Sequence, residues 1–293
     1  MAKLSIYQDY QIQTKTGLFA VRDYGHNGSD VLLVHGTGHN LEVWEPLAAV
    51  LRDKFHIVAF DMRGHGQTPE DSKDPDQYWK DIGAMITALK LRSPILVGHS
   101  AGGYAVTAHA AADGKCRAVV VLDGFVLDPR DSSDETHAWS MPEHDLWDKF
   151  RYGWRTDGDT MTKYVDDVCE SAPSDWLNSG INSKLVRTFT SRSFYKKEDA
   201  WHRRPSLEEI RLVRYPNPKK EIFPSVDIYD RVRVPMGLVY AANGLYKGRR
   251  ADIKALAEKR KNRIFKEVDA GHNIHMQRPV EVSGVIKDIH NRY

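Results

Sequence analysis

Short apolar runs alternate with amphipathic stretches along most of the chain. DVLLVHG (30–36), FHIVAFD (55–61), SPILVGHS (93–100) and CRAVVVLDG (116–124) are near-continuous and rich in β-branched residues. Each predicts a strand buried on both faces. Between them, LEVWEPLAAVLRD, DQYWKDIGAMITALKL and AGGYAVTAHAAA have the spacing of helices. VPMGLVYA (234–241) with DIKALAEKR, and RIFKEVD (263–269) with VEVSGVIKDIH, repeat the alternation towards the other end. QIQTKTGLFAVRDYG (11–25) alternates around a Gly turn and predicts a hairpin. The pattern as a whole predicts an α/β protein with a mostly parallel central sheet covered by helices on both faces.

Ligands of such sheets bind at the carboxyl ends of the strands. That rule makes His35, Asp61, Ser100, Asp123, Asn243 and His272 candidates. The alternation lapses between 126 and 230, which predicts a mostly helical cap inserted into a core of 1–125 and 231–293. The insertion holds Trp139, Trp147, Trp154, Trp176 and Trp201, five of the seven tryptophans. Some of these form the cap's own small core. A cap over a strand-end site could also spare Trp139, Trp147, Trp154 and Trp176 to line an apolar pocket.

Composition narrows the function classes. The 293 residues are 41% hydrophobic, enough for a large core, and no repeat is visible. A net charge of +2 is too balanced to argue for nucleic acid. The basic clusters Arg203-Arg204, Lys219-Lys220 and Lys247 to Arg250 sit beside Pro or Gly turns and read as solvated faces. Two cysteines, Cys116 and Cys169, imply no disulfide framework. MAKLSIYQDY lacks the apolar run of a secretory signal, and no stretch approaches the ~20 apolar residues of a membrane span. The expectation is a soluble cytoplasmic protein acting on a small molecule, without nucleic-acid or membrane partners. Its oligomeric state is left open, a homodimer being one option.

ILVGHSAGG (95–103) places a G-x-S-x-G between a strand and a helix. A Ser at such a tight turn is held in strained backbone with its hydroxyl projecting, which makes Ser100 the candidate nucleophile. A hydroxyl needs a base to take its proton and donors for the oxyanion that forms. The N–H of Ala101, at the start of the helix, is one such donor, and that of Thr37 in HGTGHN (35–40) is another.

HG at 35–36, DMRGHGQT at 61–68, GHSAGG at 98–103 and DAGHNIHMQRP at 269–279 together resemble the α/β-hydrolase superfamily. The four motifs follow the superfamily's order and cover the chain except the insertion, which falls where that superfamily carries its cap. The resemblance implies an α/β-hydrolase fold and makes His272 the base, with His275 as competitor one helical turn on. It implies structural roles for Asp61, Arg63, Gly64 and Gly66, and by extension for His65.

The resemblance fails at the acid. Most members carry an Asp in the turn after the penultimate core strand, where this chain reads YAANGLYK. Asn243 could orient an imidazole but cannot balance its charge. Asp123, at the end of VVVLD, can. Haloalkane dehalogenases, zearalenone-type lactonases and cofactor-independent quinolone dioxygenases carry their acid at this strand end, and the chain resembles them here. Asp128 is the reserve.

The expected activity is that of a serine hydrolase on an ester or lactone of an apolar, aromatic or macrocyclic small molecule, with no metal and no cofactor. Two other readings stand beside it. One is a cofactor-independent dioxygenase of quinolone-like heterocycles, using a His–Asp dyad with His39 near the oxyanion loop. The other is a non-catalytic small-molecule receptor on the same fold.

Overall fold

The computed structural model describes residues 7–130, 149–214 and 217–293. Along the chain the strands are β1 (Gln8–Thr14), β2 (Gly17–Asp23), β3 (Ser29–Val34), β4 (Phe55–Phe60), β5 (Ile95–His99) and β6 (Ala118–Leu122), then β7 (Arg155–Thr156), β8 (Phe194–Lys197) and β9 (Ala200–Arg203), and finally β10 (Met236–Asn243) and β11 (Arg263–Gly271). Eight of them form one sheet in the order β1-β2-β4-β3-β5-β6-β10-β11. The β1–β2 hairpin and the β2–β4 pair are antiparallel, and every other pair is parallel.

Strand periodicity sorts the core into two layers. Leu32, Val34, Val58, Phe60, Leu96, Val119, Val121 and Leu238 point to one face. They meet α2 (Gln77–Ala88), α3 (Ala101–Ala111) and, later in the chain, Ile253 and Leu256. Val31, Leu33, Ile57, Ala59, Val97, Val120 and Val239 point to the other face. They meet α1 (Glu45–Leu51) and the residues Val282, Val285, Ile286 and Ile289 of the last helix. Because both faces are covered, the central strands are buried along their length, which explains their unbroken apolar runs.

The chain between β6 and β10 carries α4 (Gly158–Ser171), α5 (Ser183–Arg192), α6 (Leu207–Arg214) and α7 (Ile228–Arg231). It also carries the antiparallel sheet β7-β9-β8, where the sequence pattern predicts mainly helix. Strands of two to four residues are too short for alternation to show, and the polar turn at Glu198-Asp199 looks like any loop. Polar links fasten this segment to the core, among them these. Asn40 Nδ2 donates to Phe189 O at 2.7 Å, Gln67 Nε2 to Arg192 O at 2.7 Å, and Arg192 Nη2 meets the buried Asp61 carboxylate at 3.0 Å. The chain ends with α8 (Arg250–Glu258), α9 (Ile274–Gln277) and α10 (Pro279–Arg292), the last opened by a proline that suits the first helical turn. Among the described residues, no helix is long and apolar enough to cross a membrane.

One ion-pair group fastens the β2, β3 and β4 edge. His56 on β4 lies 2.7 Å from Asp30 and 3.2 Å from Asp23, and these carboxylates push its pKa up to about 9 despite partial burial. A folded pKa above the unfolded value of about 6.5 means stability that is complete below pH ~6.5 and lost as pH rises through about 9. We expect wild type to melt higher than His56→Gln at pH 6, with the gap closing between pH 8 and pH 10. A gap that does not change with pH would refute the ionic origin.

Candidate active site

The turn that carries Ser100 is built as its glycines suggest. Ser100 caps α3 with φ 53° and ψ −124°, a conformation that costs a non-glycine residue about 1–3 kcal/mol. It is held by Ser100 N–H to Leu122 O at 3.1 Å and by Gly103 N–H to Ser100 O at 2.8 Å. A Cβ on Gly98 would come within 2.1 Å of the Gly102 carbonyl oxygen, so the turn admits no side chain there. The N–H groups of Thr37 and Ala101 donate to no protein acceptor among the described residues.

Asp123 follows β6 in a left-handed conformation, φ 42°, and is fully buried. Its Oδ2 lies 2.7 Å from His272 Nδ1 and accepts the Leu245 N–H at 3.0 Å, while Oδ1 accepts the Ala241 N–H at 3.4 Å. The proton shared with a carboxylate resides on Nδ1, which leaves the lone pair on His272 Nε2. The turn after β10, which lacks an acid of its own, is shaped to receive this one: a Cβ on Gly244 would sit 2.2 Å from Asp123 Oδ2. Asn243 points elsewhere, donating to Asp269 at 2.9 Å. Asp128 is taken up by Arg249 at 3.2 Å.

The His272 loop is pinned on several sides. His99 Nε2 donates to its carbonyl at 2.9 Å, Asn273 Nδ2 to Leu177 O at 2.9 Å, and Gln277 binds both Gly271 N–H and Ser179 O at 2.7 Å. Ser100 and His272 share the wall of one cavity of about 280 Å³, although no hydrogen bond joins them. The cavity lies between the strand-end loops and the inserted segment. Thr37, His39 and Leu245 contribute to it from the core, and Phe150, Tyr152, Tyr164, Trp176, Phe189 and Arg203 from the insertion.

The candidate pocket residues divide. His39 and Trp176 line the cavity, whereas Trp154 packs edge-on against Tyr164 and Phe194 inside the insertion. Trp139 and Trp147 lie outside the described residues. Tyr152, another aromatic of the insertion, also lines the cavity, its hydroxyl 2.0 Å from where a Cβ of Gly38 would be. Sequence patterning misplaced Arg203, read as part of a solvated basic cluster. The side chain is buried and faces the cavity because β9 turns it inward beneath Tyr164 and Phe194. Two adjacent arginines before a proline carry no signal that would separate the buried one.

At the cavity wall and just behind it the histidines pack ring against ring. His99 lies 4.5 Å from His272 and 4.4 Å from His275, and His39 lies 5.6 Å from His99. His275 is fully buried against Trp44, 4.5 Å away, and does not reach the cavity. His35 and His65 serve the loops instead. His35 accepts the Met62 N–H at 2.9 Å, and His65 donates to Arg63 O at 2.8 Å. Burial holds His39 down to about 3, helped by His272 nearby, and pushes His35, His99 and His275 well below their ordinary value. These imidazoles stay neutral, so no cation competes with a proton arriving on His272.

A depressed histidine pKa gives stability that is complete above the unfolded value of about 6.5 and lost as pH falls below it. The urea-derived unfolding free energy should therefore drop steeply between pH 6.5 and pH 5. His275→Leu should flatten that slope by one proton, about 1.4 kcal/mol per pH unit. An unchanged slope would mean that His275 is already protonated in the folded state.

A family model described as the alpha/beta hydrolase family matches residues 31–285. Over 106 residues the chain is 41% identical to 2-(acetamidomethylene)succinate hydrolase of Mesorhizobium japonicum, covering 35% of this chain and 38% of that protein. It is 34% identical over 142 residues to protein phosphatase methylesterase 1 of Mus musculus, covering 43% of this chain and 36% of that one. The chain thus spans little more than a third of the length of these curated relatives. A crystal structure of E-2-(acetamidomethylene)succinate hydrolase superposes with a TM-score of 0.76 at 20% identity, over 97% of this chain and 99% of the other. That likeness bears on the fold. With a family match running from β3 into α10, the chain belongs to the alpha/beta hydrolase family.

Proposed function

We propose that the chain is a serine hydrolase that cleaves an ester or lactone of a small molecule through an acyl-enzyme. The observation that carries this reading is the buried Asp123–His272 hydrogen bond of 2.7 Å, facing a cavity shared with a strained Ser100. His272 Nε2 takes the Ser100 proton as Oγ attacks the carbonyl carbon. The oxyanion that forms accepts from the N–H groups of Thr37 and Ala101, each worth roughly 3 kcal/mol in the transition state. Collapse expels the alcohol, protonated by His272. Water then gives a proton to His272 as its oxygen attacks the acyl carbon, and the acid departs as His272 returns that proton to Ser100 Oγ. Asp123 keeps the imidazole oriented and balances its charge in each half-reaction.

The walls speak for a substrate with an apolar part, since Phe150, Tyr164, Trp176 and Phe189 face the cavity. The inserted segment acts as a cap over it. The hydrolase names of the relatives support hydrolysis without fixing the bond. Two observations favour a second reading, a cofactor-independent oxygenation begun by the His–Asp dyad: His39 lines the cavity, and Ser100 is not hydrogen-bonded to His272. There the dyad would deprotonate the substrate, and Ser100 would form no adduct.

Timed labelling with a fluorophosphonate separates the two. Wild type should label at Ser100, as located by peptide mass, and Ser100→Ala should not label. Asp123→Asn should slow labelling and lower ester kcat by about 10⁴-fold. Asn243→Ala should stay within a few-fold of wild type, because its amide faces Asp269. An unlabelled wild type that consumes oxygen with a heterocyclic substrate would reverse the order of the readings. Near-normal activity of Asp123→Asn would remove Asp123 from the mechanism.

A further inference from the structure

Burying a guanidinium is costly unless a carboxylate or a set of carbonyls meets it. The buried arginines among the described residues obey that rule, with one exception. Arg22 is clamped by Asp9 and Glu42, Arg63 by Asp81, and Arg263 by the carbonyls of Leu256 and Tyr229. Arg203 is 8% exposed, yet its Nε and Nη1 have no hydrogen-bond partner, and no carboxylate among the described residues pairs with it. Its cation lies 4.7 Å from the Tyr164 ring and 5.4 Å from Phe194. Those rings fix the plane of the fork without satisfying its donors.

Arg203 lines the cavity that holds Ser100 and His272. Its place along that wall can be traced. The Arg203 carbonyl accepts the Gly153 N–H at 3.2 Å, and the neighbouring Tyr152 sets its hydroxyl against Gly38 beside Thr37. Arg203, Tyr152, Gly38 and Thr37 thus line one cavity. A guanidinium packed against aromatic rings, with donors that no protein group meets, suits an anion such as a carboxylate that can accept from it.

We infer that Arg203 forms a carboxylate subsite, and that the substrate is an acyl compound carrying a carboxylate besides the bond that is cleaved. The apolar walls hold the carbon skeleton between the two ends. For the bond that is cleaved, the inference rests on the hydrolase reading above. The subsite itself rests on Arg203.

Two matched pairs of esters test it: 4-acetoxybenzoate against its methyl ester, and mono-4-nitrophenyl adipate against its methyl ester. The pairs place the carboxylate on the leaving group and on the acyl part in turn. In at least one pair, wild type should prefer the anion by about tenfold or more in kcat/KM, the range expected for hydrogen bonds to a charged group. The ratio should fall to about one in Arg203→Met and to an intermediate value in Arg203→Lys, each shown to be folded by its melting curve. Wild type alone decides if both variants misfold, since no preference for the anion in either pair overturns the inference. A preference that survives in folded Arg203→Met overturns it too. Calorimetric titration of Ser100→Ala and Ser100→Ala/Arg203→Met with 4-acetoxybenzoate and with adipate keeps the two readings apart. Binding that requires Arg203, together with a wild type that turns over no ester, keeps the subsite and removes the hydrolase. Turnover of neutral esters without Arg203-dependent binding does the reverse.

Discussion

The Asp123 carboxylate, wholly buried, is the point on which the site's geometry turns. A charge removed from water must be met by donors, and its three come from separate places: His272 Nδ1 and the N–H groups of Leu245 and Ala241. Those donors lie after β11, in the turn after β10, and near the end of β10. One carboxylate thus draws the ends of three adjacent parallel strands, β6, β10 and β11, to a common point. Asp123 is bent into a left-handed conformation to reach it, and Gly244 leaves room for its oxygen. The absence of an acid after β10 is then a steric matter as much as a chemical one. A side chain at position 244 would occupy the space that the Asp123 carboxylate fills.

The sheet was legible because every central strand is covered twice. Burial on both faces writes itself as unbroken apolar runs in β3, β5 and β6, and each run ends on a residue that matters to the site or its loops. Ser100 was legible for a related reason, since the strained turn demands small neighbours and so leaves a glycine signature. Asp123 was readable only by combining position with a vacancy, the missing acid at 243–245. The insertion was less transparent. Strands of two to four residues leave no period, and Trp154 packs inside the insertion whereas Trp176 lines the cavity and is partly open to solvent. Neither helical spacing nor composition encodes that difference.

Arg203 and the buried histidines show the limit most plainly, because charge in a sequence says nothing about solvation. Arg203-Arg204-Pro205 has the look of a solvated turn, yet the first arginine lines the cavity, and its side chain is more deeply buried than that of Arg204. HGTGHN and GHSAGG likewise contain histidines that sequence reading treats singly. The structure makes them one stack, His39 over His99 over His275, kept neutral by burial. Residues that the sequence separates by 236 positions, 39 and 275, are gathered at the carboxyl end of one sheet.

That gathering gives the cavity an electrostatic direction. The buried histidines beside His272 are uncharged, while the negative charge of Asp123 stands against its Nδ1. Positive charge is placed instead on the insertion's side, at Arg203, where aromatic rings rather than acids surround it. A cation left without a carboxylate inside a protein is a cost that a ligand can offset, and it is borne where a substrate would lie. The polarity of the site therefore follows from which buried charges the fold pairs internally and which one it leaves for the ligand.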